Sequence, residues 1–215
     1  MMNQELTYWV SLALMPRLRT RRKNEIYIAC YNREPRVSIV ELFDNRPLWS
    51  ELKLSDEEVA LFHHTREQLS NHSFLVESLL SQGYNILPID SPHYPRSLKD
   101  NMKQNAPSVL FGKGDISMLQ EPSVAIVGSR NADATSLAFT RSVAAKQAAQ
   151  AQVVVSGFAK GVDRTALDAA IASGGKSIIV LPQGITTFAS GFREYYKPIM
   201  QGKVLVVSTF QPNAP

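Results

Sequence analysis

Four apolar runs in the second half of the chain, Val124–Val127, Val153–Val155, Ser177–Leu181 and Val204–Val207, alternate with helix-like stretches, and this alternation restricts the fold more than any other feature. Each run is too short to be a helix, is rich in Val and Ile, and is bounded by Gly, Pro or Ser, which marks a strand. Between them lie an alanine-rich stretch, Ala134–Gln150, a second at Arg164–Ser173 and a third at Phe192–Gln201, where Pro198 is expected to cap or kink the helix. Strands that are apolar along their whole length belong to a parallel sheet covered on both faces.

The order βαβαβαβ with right-handed crossovers predicts an α/β fold with a Rossmann-like, doubly wound, mostly parallel sheet. In such a sheet ligands bind beyond the carboxyl ends of the strands, where the strand order reverses. Here those ends carry Gly128-Ser129-Arg130, Ser156-Gly157-Phe158-Ala159-Lys160-Gly161 and Gln183-Gly184. Glycines let the backbone turn sharply and approach a ligand. Free N–H groups at a following helix start favour an anion, and Arg130 and Lys160 add cations. The candidate phosphate-binding residues are therefore Gly128, Ser129, Arg130, Ser156, Gly157, Lys160, Gly161 and Gly184. The competing reading is a set of plain strand-to-helix turns whose glycines serve geometry alone.

Several chemistries are disfavoured. The first turn reads Gly-Ser-Arg-Asn, not the G-x-G-x-x-G of dinucleotide folds, and no Walker lysine motif occurs. There is no G-x-S-x-G elbow and no histidine after His93, so a Ser-His-Asp set within the sheet domain is excluded. Asp163 is expected to cap a helix beginning near Arg164 rather than to act as a base. Four acids after residue 121, Asp133, Asp163, Asp168 and Glu194, are too sparse for a multi-carboxylate metal site. No catalytic residue, cofactor or metal is assigned.

The first 80 residues read as mostly helical. Leu6, Trp9, Val10, Ala13 and Leu14 recur at helical spacing before Pro16, a second helix runs from Thr20 through Tyr31, and Ser38–Phe43 is a further apolar segment. Ser55 and Glu58 have the spacing of a capping box, and Gly83 is a helix stop. His63, His64 and His72 fit no metal-ligand spacing, and Cys30 reads as a buried small hydrophobe. Asn85–Leu87 and Ser108–Gly112 are short strands within a proline-rich connector. The expected organisation is a helical domain 1–82, a connector 83–121 packing on the sheet domain, and a Rossmann-like domain 122–215. Charge is uneven: residues 1–36 hold seven Lys/Arg against three Asp/Glu, residues 37–121 seven against twelve, and residues 122–215 nine against four. Two basic zones around an acidic middle point weakly to a polyanion. No apolar stretch of about 18 residues exists and no signal-peptide layout precedes Arg17, so a cytoplasmic protein that does not enter the membrane is expected.

Five motifs in order then identify a resemblance. Asp90-Ser91-Pro92-His93-Tyr94-Pro95-Arg96-Ser97-Leu98, Ala106–Gly114, Val124–Arg130, Ser156–Asp163 and Gly174–Ile178 resemble the D-x-x-Y-P-x-x-L, P-x-x-L-F-x-x-G, V-A-I-V-G-x-R, S-G-x-A-x-G-I-D and G-G-x-T-I patterns of the DNA-processing DprA (Smf) family. The likeness covers roughly residues 84–207, and the first helices, with Tyr8-Trp9, look like the small helical domain that precedes the family's sheet. The resemblance implies a non-catalytic protein that binds single-stranded DNA, forms a homodimer and helps load a RecA-type recombinase in natural transformation. It also implies that Arg130 and Lys160 contact phosphates, while Gly128, Ser129, Ser156 and Gly157 shape the pocket; Phe158 is expected to pack.

Departures from the pattern accompany the likeness. Ala166-Leu167 stands where the family has Ala-His, Ser208-Thr209 where it has Ser-Glu, Phe188–Tyr196 lacks a matching Tyr-Pro, and Arg17-Leu18-Arg19 replaces the glycines of a helix-hairpin-helix turn. The chain also stops before the Arg-Asn segment with which the family completes its sheet, as expected of a shortened or divergent member. The alternatives are a nucleotide-cleaving relative or a nucleotide sensor on the same sheet. Phosphoribohydrolases of that kind carry P-G-G-x-G-T-x-x-E, and Leu181–Thr187 echoes it without the glutamate.

Overall fold

The structure is a computed structural model and describes residues 2–215. It divides into two compact units, Met1–Leu110 and Phe111–Pro215.

The first unit is helical: α1 (Met2–Leu14), α2 (Thr20–Tyr31), α3 (Ile39–Asp44), α4 (Arg46–Glu51), α5 (Asp56–Glu67) and α6 (Leu69–Ser81) precede β1 (Asn85–Pro88) and α7 (Arg96–Met102), and the unit ends inside β2 (Val109–Lys113). Two helices start on complete capping boxes. Ser55 and Glu58 open α5 as the spacing requires, and Ser38 with Glu41 does the same for α3, which the sequence showed only as an apolar segment. Gly83 follows α6 with φ of +74°. The core is aromatic: Trp9 meets Tyr27 edge-on at 4.5 Å, and Phe62 lies 5.1 Å from Phe43 and 5.4 Å from Trp49. Cys30 is fully buried there. Lys23 is buried too, and its ammonium donates to the Ala13 carbonyl at 2.6 Å, closing the end of α1. Burial alone lowers its pKa to about 8.

The second unit is the α/β sheet expected. After the end of β2 come β3 (Ser123–Ala125), α8 (Ala134–Ala149), β4 (Val153–Ser156), α9 (Val162–Ala172), β5 (Ser177–Leu181), α10 (Ala189–Glu194), α11 (Tyr196–Met200) and β6 (Val204–Ser208). Strands β3 to β6 are parallel, and β2 joins β6 antiparallel with Phe111 opposite Ser208. One face packs Val154 against Ala144 and Ala148 of α8 and Ala166 and Ala170 of α9, where alanines allow close helix approach. The other face packs Val153, Ile178, Leu205 and Val207 on Met118 of the 3-10 turn Ile116–Gln120.

Three details differ from expectation. The order β2-β6-β5-β4-β3 is consecutive from β6 to β3, so β3 is an edge strand instead of lying beside a reversal, and Val127 just beyond it is 71% exposed. The stretch expected as one helix over Phe192–Gln201 is two, α10 and α11, broken at Tyr195. Pro198 has no N–H for the Glu194 carbonyl and is tolerated only in a first turn, which is where the restart at Tyr196 puts it. Helix α9 begins at Val162 with Gly161 at the cap position. Asp163 therefore lies inside the first turn and does not cap it.

Candidate functional site

The site is assembled by two turns packed backbone against backbone. The β3 strand runs on into Ile126, whose N–H donates to Val155 O at 3.0 Å, and the chain then turns through Gly128-Ser129-Arg130. The Gly157–Gly161 turn after β4 docks on it. Gly161 has φ of +93°, and a Cβ there would strike the Ser129 and Arg130 carbonyls. At Gly128 a Cβ would sit 2.9 Å from the Val162 methyls, and at Gly157 2.6 Å from Asp163 Oδ2. These glycines are needed for close approach, whatever else they do.

Asp163 crosses between the turns. It is buried, and its Oδ1 accepts from Gly128 N at 3.1 Å, tying the β3 end to the start of α9. The helix start is less open than the sequence implied. Val162 N–H donates to Ser129 O and Arg164 N–H to Ala159 O, both at 3.1 Å. The N–H groups of Phe158, Ala159 and Lys160, one turn earlier, have no protein acceptor among the described residues. The donors that remain for an anion thus lie in the loop.

Around these turns open two lobes of about 650 and 540 Å³. Arg130, Phe158 and Lys160 line both, with Leu137, Gly161 and Arg164 in the larger and Gly157, Val180 and Gln183 in the smaller. Arg130 and Lys160 are exposed, and neither has a carboxylate partner among the described residues. Arg164 behaves differently. Its guanidinium stacks over Phe158 at 4.5 Å and lies 5.3 Å from the Tyr195 ring, while Asp168 at 3.1 Å and Glu194 neutralise it. Tyr195 donates to Asp168, and burial followed by that carboxylate raises its hydroxyl pKa well above the usual range, so it stays a neutral donor. Phe158 also meets Phe188 edge-on at 4.7 Å. It packs, as expected, and it also walls both lobes.

Of the eight residues singled out in the sequence, the structure brings Arg130, Gly157, Lys160 and Gly161 to the lobes. Gly128 and Ser129 support them from behind: Ser129 Oγ accepts from Asn131 N at 3.1 Å and its carbonyl from Val162. Ser156 is buried and donates its hydroxyl to the Ile126 carbonyl, joining β4 to β3. Gly184 lines neither lobe. Its N–H donates to Ala214 O at 2.8 Å, and a Cβ would strike the Gln211 and Pro212 carbonyls. Arg164, Asp168 and Tyr195 were missed. The i, i+4 pairing of Arg164 with Asp168 was readable, but the aromatic sandwich joins residues some thirty apart. Leu167, where the resemblance expects His, is fully buried. Among the described residues no three His, Cys, Asp or Glu side chains come together as metal ligands, and no helix is long and apolar enough to cross a membrane.

The fold is an α/β protein with a Rossmann-like sheet, and among the described residues its strand ends carry two cations without carboxylate partners over a loop of free N–H groups, a rim whose chemistry suits an anion. The family model for DNA recombination-mediator protein A matches residues 85–215, more than half of the chain, and the chain belongs to that family. DNA processing protein DprA of Streptococcus pneumoniae is 34% identical over 108 residues, 50% of this chain and 38% of that protein. The Bacillus subtilis protein of the same name is 34% identical over 116 residues, 54% of this chain and 36% of its own length. The matched stretch spans well under half of either relative. The X-ray structure of DprA from Streptococcus pneumoniae aligns at a TM-score of 0.69 and 23% identity, covering 97% of this chain and 69% of that one, a likeness of fold.

Proposed function

We propose that the rim binds single-stranded DNA by its sugar–phosphate backbone and that the chain is a non-catalytic recombination mediator. It would hand the strand to a RecA-type recombinase during DNA uptake, working in the cytoplasm as a homodimer. The observation that carries this reading is the placement of Arg130 and Lys160, exposed and without carboxylate partners, on both lobes of one open surface. The free N–H groups of Phe158, Ala159 and Lys160 add uncharged donors for phosphate oxygens. Gly128, Ser129, Ser156, Gly157, Gly161 and Gly184 hold the turns and strand ends in shape. The DNA-binding domain would be residues 122–215, with 1–82 as a helical domain and 83–121 as the connector. Family membership supports the mediator role, and Asp163, the one carboxylate lining the lobes among the described residues, is already engaged by Gly128.

The test is fluorescence anisotropy of a labelled single-stranded oligonucleotide across a salt series. Affinity should fall as salt rises, because each neutralised phosphate releases counterions. Replacing both Arg130→Ala and Lys160→Ala should weaken binding strongly and flatten the log–log salt slope by about 1.4, at roughly 0.7 per phosphate on single strands. Duplex DNA should bind less well. Unchanged affinity in the double variant would remove the rim from the account.

A further inference from the structure

The first unit contains a second, unrelated cavity, and we propose that it binds nucleoside phosphates. Its volume is about 390 Å³, within the roughly 300–1,000 Å³ of small-ligand sites. One wall is the outer face of α2, where Ile28 and Tyr31, at i, i+3 spacing, are 41% and 47% exposed. These two large apolar side chains are half open to water on one helix face, although one part of the Tyr31 ring is already covered from within the unit. The Arg36 guanidinium lies 4.0 Å from the Tyr31 ring centre, and Tyr27 is tilted against the same ring at 6.1 Å.

The lining also carries lysines. These are Lys99 and Lys103, and Lys103 has no carboxylate partner among the described residues. Lys103 adopts φ of +50° and ψ of −124°, a conformation that L side chains rarely take and that recurs where the surrounding fold holds a residue for a ligand. The one acid among the described lining residues, Asp90, is already used: Tyr27 donates to it at 3.0 Å and Arg36 approaches at 3.4 Å. Asn24, at the base, donates to the Gln104 and Ala106 carbonyls at 2.8 and 2.7 Å, which fixes the turn that carries Lys103.

A bare anion would use the lysines and leave Tyr31 and Ile28 wet. A neutral aromatic would do the reverse. A planar base on the open part of the Tyr31 and Ile28 surface with its phosphate on Lys99 and Lys103 uses both kinds of lining, and Arg36, stacked over the Tyr31 ring, adds charge there. The same chemistry is offered by a free nucleotide and by one nucleotide of a strand. This inference does not depend on the rim.

Isothermal titration of the full chain with deoxyadenosine monophosphate tests it. Saturable binding is expected, at least tenfold tighter than inorganic phosphate. Tyr31→Ala and the pair Lys99→Gln with Lys103→Gln, all replacing half-exposed or exposed side chains, should each weaken it about tenfold, with circular dichroism confirming that the variants fold. The rim pair Arg130→Ala with Lys160→Ala should leave it unchanged. An absence of binding by the folded chain, equal affinity for phosphate alone, indifference to the pocket variants, or loss in the rim variant would each overturn the proposal. Both remaining outcomes support it and name the source. Oligonucleotide affinity that falls with the pocket variants identifies a nucleotide within a strand; oligonucleotide affinity that does not identifies the free nucleotide.

Discussion

At the scale of single residues, Lys23 shows how a charge can be carried for structure. Its Nζ closes the carbonyl end of α1, and burial makes the ammonium costly. The unfolded lysine keeps its proton to 10.5, the folded one only to about 8. Between these values the unfolded chain binds more protons, so stability rises with pH, by up to about 1.4 kcal/mol per pH unit for one proton. Urea unfolding at pH 8, 9 and 10 should show that rise in the parent chain and lose it in Lys23→Met. A parent slope that persists in the variant would mean that another group is responsible.

At the scale of elements, the S-x-x-E starts of α3 and α5 are local signals with local consequences. Ser55→Ala should lower stability by about 1 kcal/mol, read as a shift in denaturation midpoint without a change in slope. Glu58→Ala should cost more, because that carboxylate also pairs with Arg22 at 2.6 Å. The Arg22 hydrogen bond and then the Ser55 backbone hold the Glu58 pKa below 4.5, against a rise from burial, so its contribution is present above pH 4.5 and fades as the pH falls below it.

Such local patterns are what the sequence made legible. The apolar runs became β3 to β6, and α2 covers Thr20–Tyr31 as the spacing of its residues required. That Arg130, Gly157, Lys160 and Gly161 come together was likewise readable, because strand-end turns in an open sheet fall on one side. What stayed hidden depends on which distant groups meet. Ser156 looks like a free donor until Ile126 is seen 30 residues earlier, and Gly184 looks open until Gln211 and Pro212 fold over it. The surface at Tyr31 is hidden for the same reason, since α2 says nothing by itself about Lys103.

At the scale of the whole molecule, the division into two units separates the probes. Both tryptophans, Trp9 and Trp49, are buried in the first unit, whereas far-ultraviolet circular dichroism samples both. Gly161→Ala forces a side chain into a left-handed position and against two carbonyls of the second unit, a change expected to cost roughly 2–4 kcal/mol. Its thermal unfolding followed by dichroism should begin below the transition seen by tryptophan fluorescence, which should stay near the parent value. Coincident transitions would mean that the two units unfold as one.

The edge position of β3 has its own effect. Among the described residues β3 pairs with β4 alone, so its other side presents a row of bare amide and carbonyl groups. Such a row is a template on which another extended backbone can be laid. Main-chain groups carry no memory of which residue bears them. Self-association along that edge, unlike recognition at the rim, would therefore survive the exchange of Arg130 or Lys160 and strengthen with concentration, whereas a proline in β3, which has no N–H to donate, would weaken it.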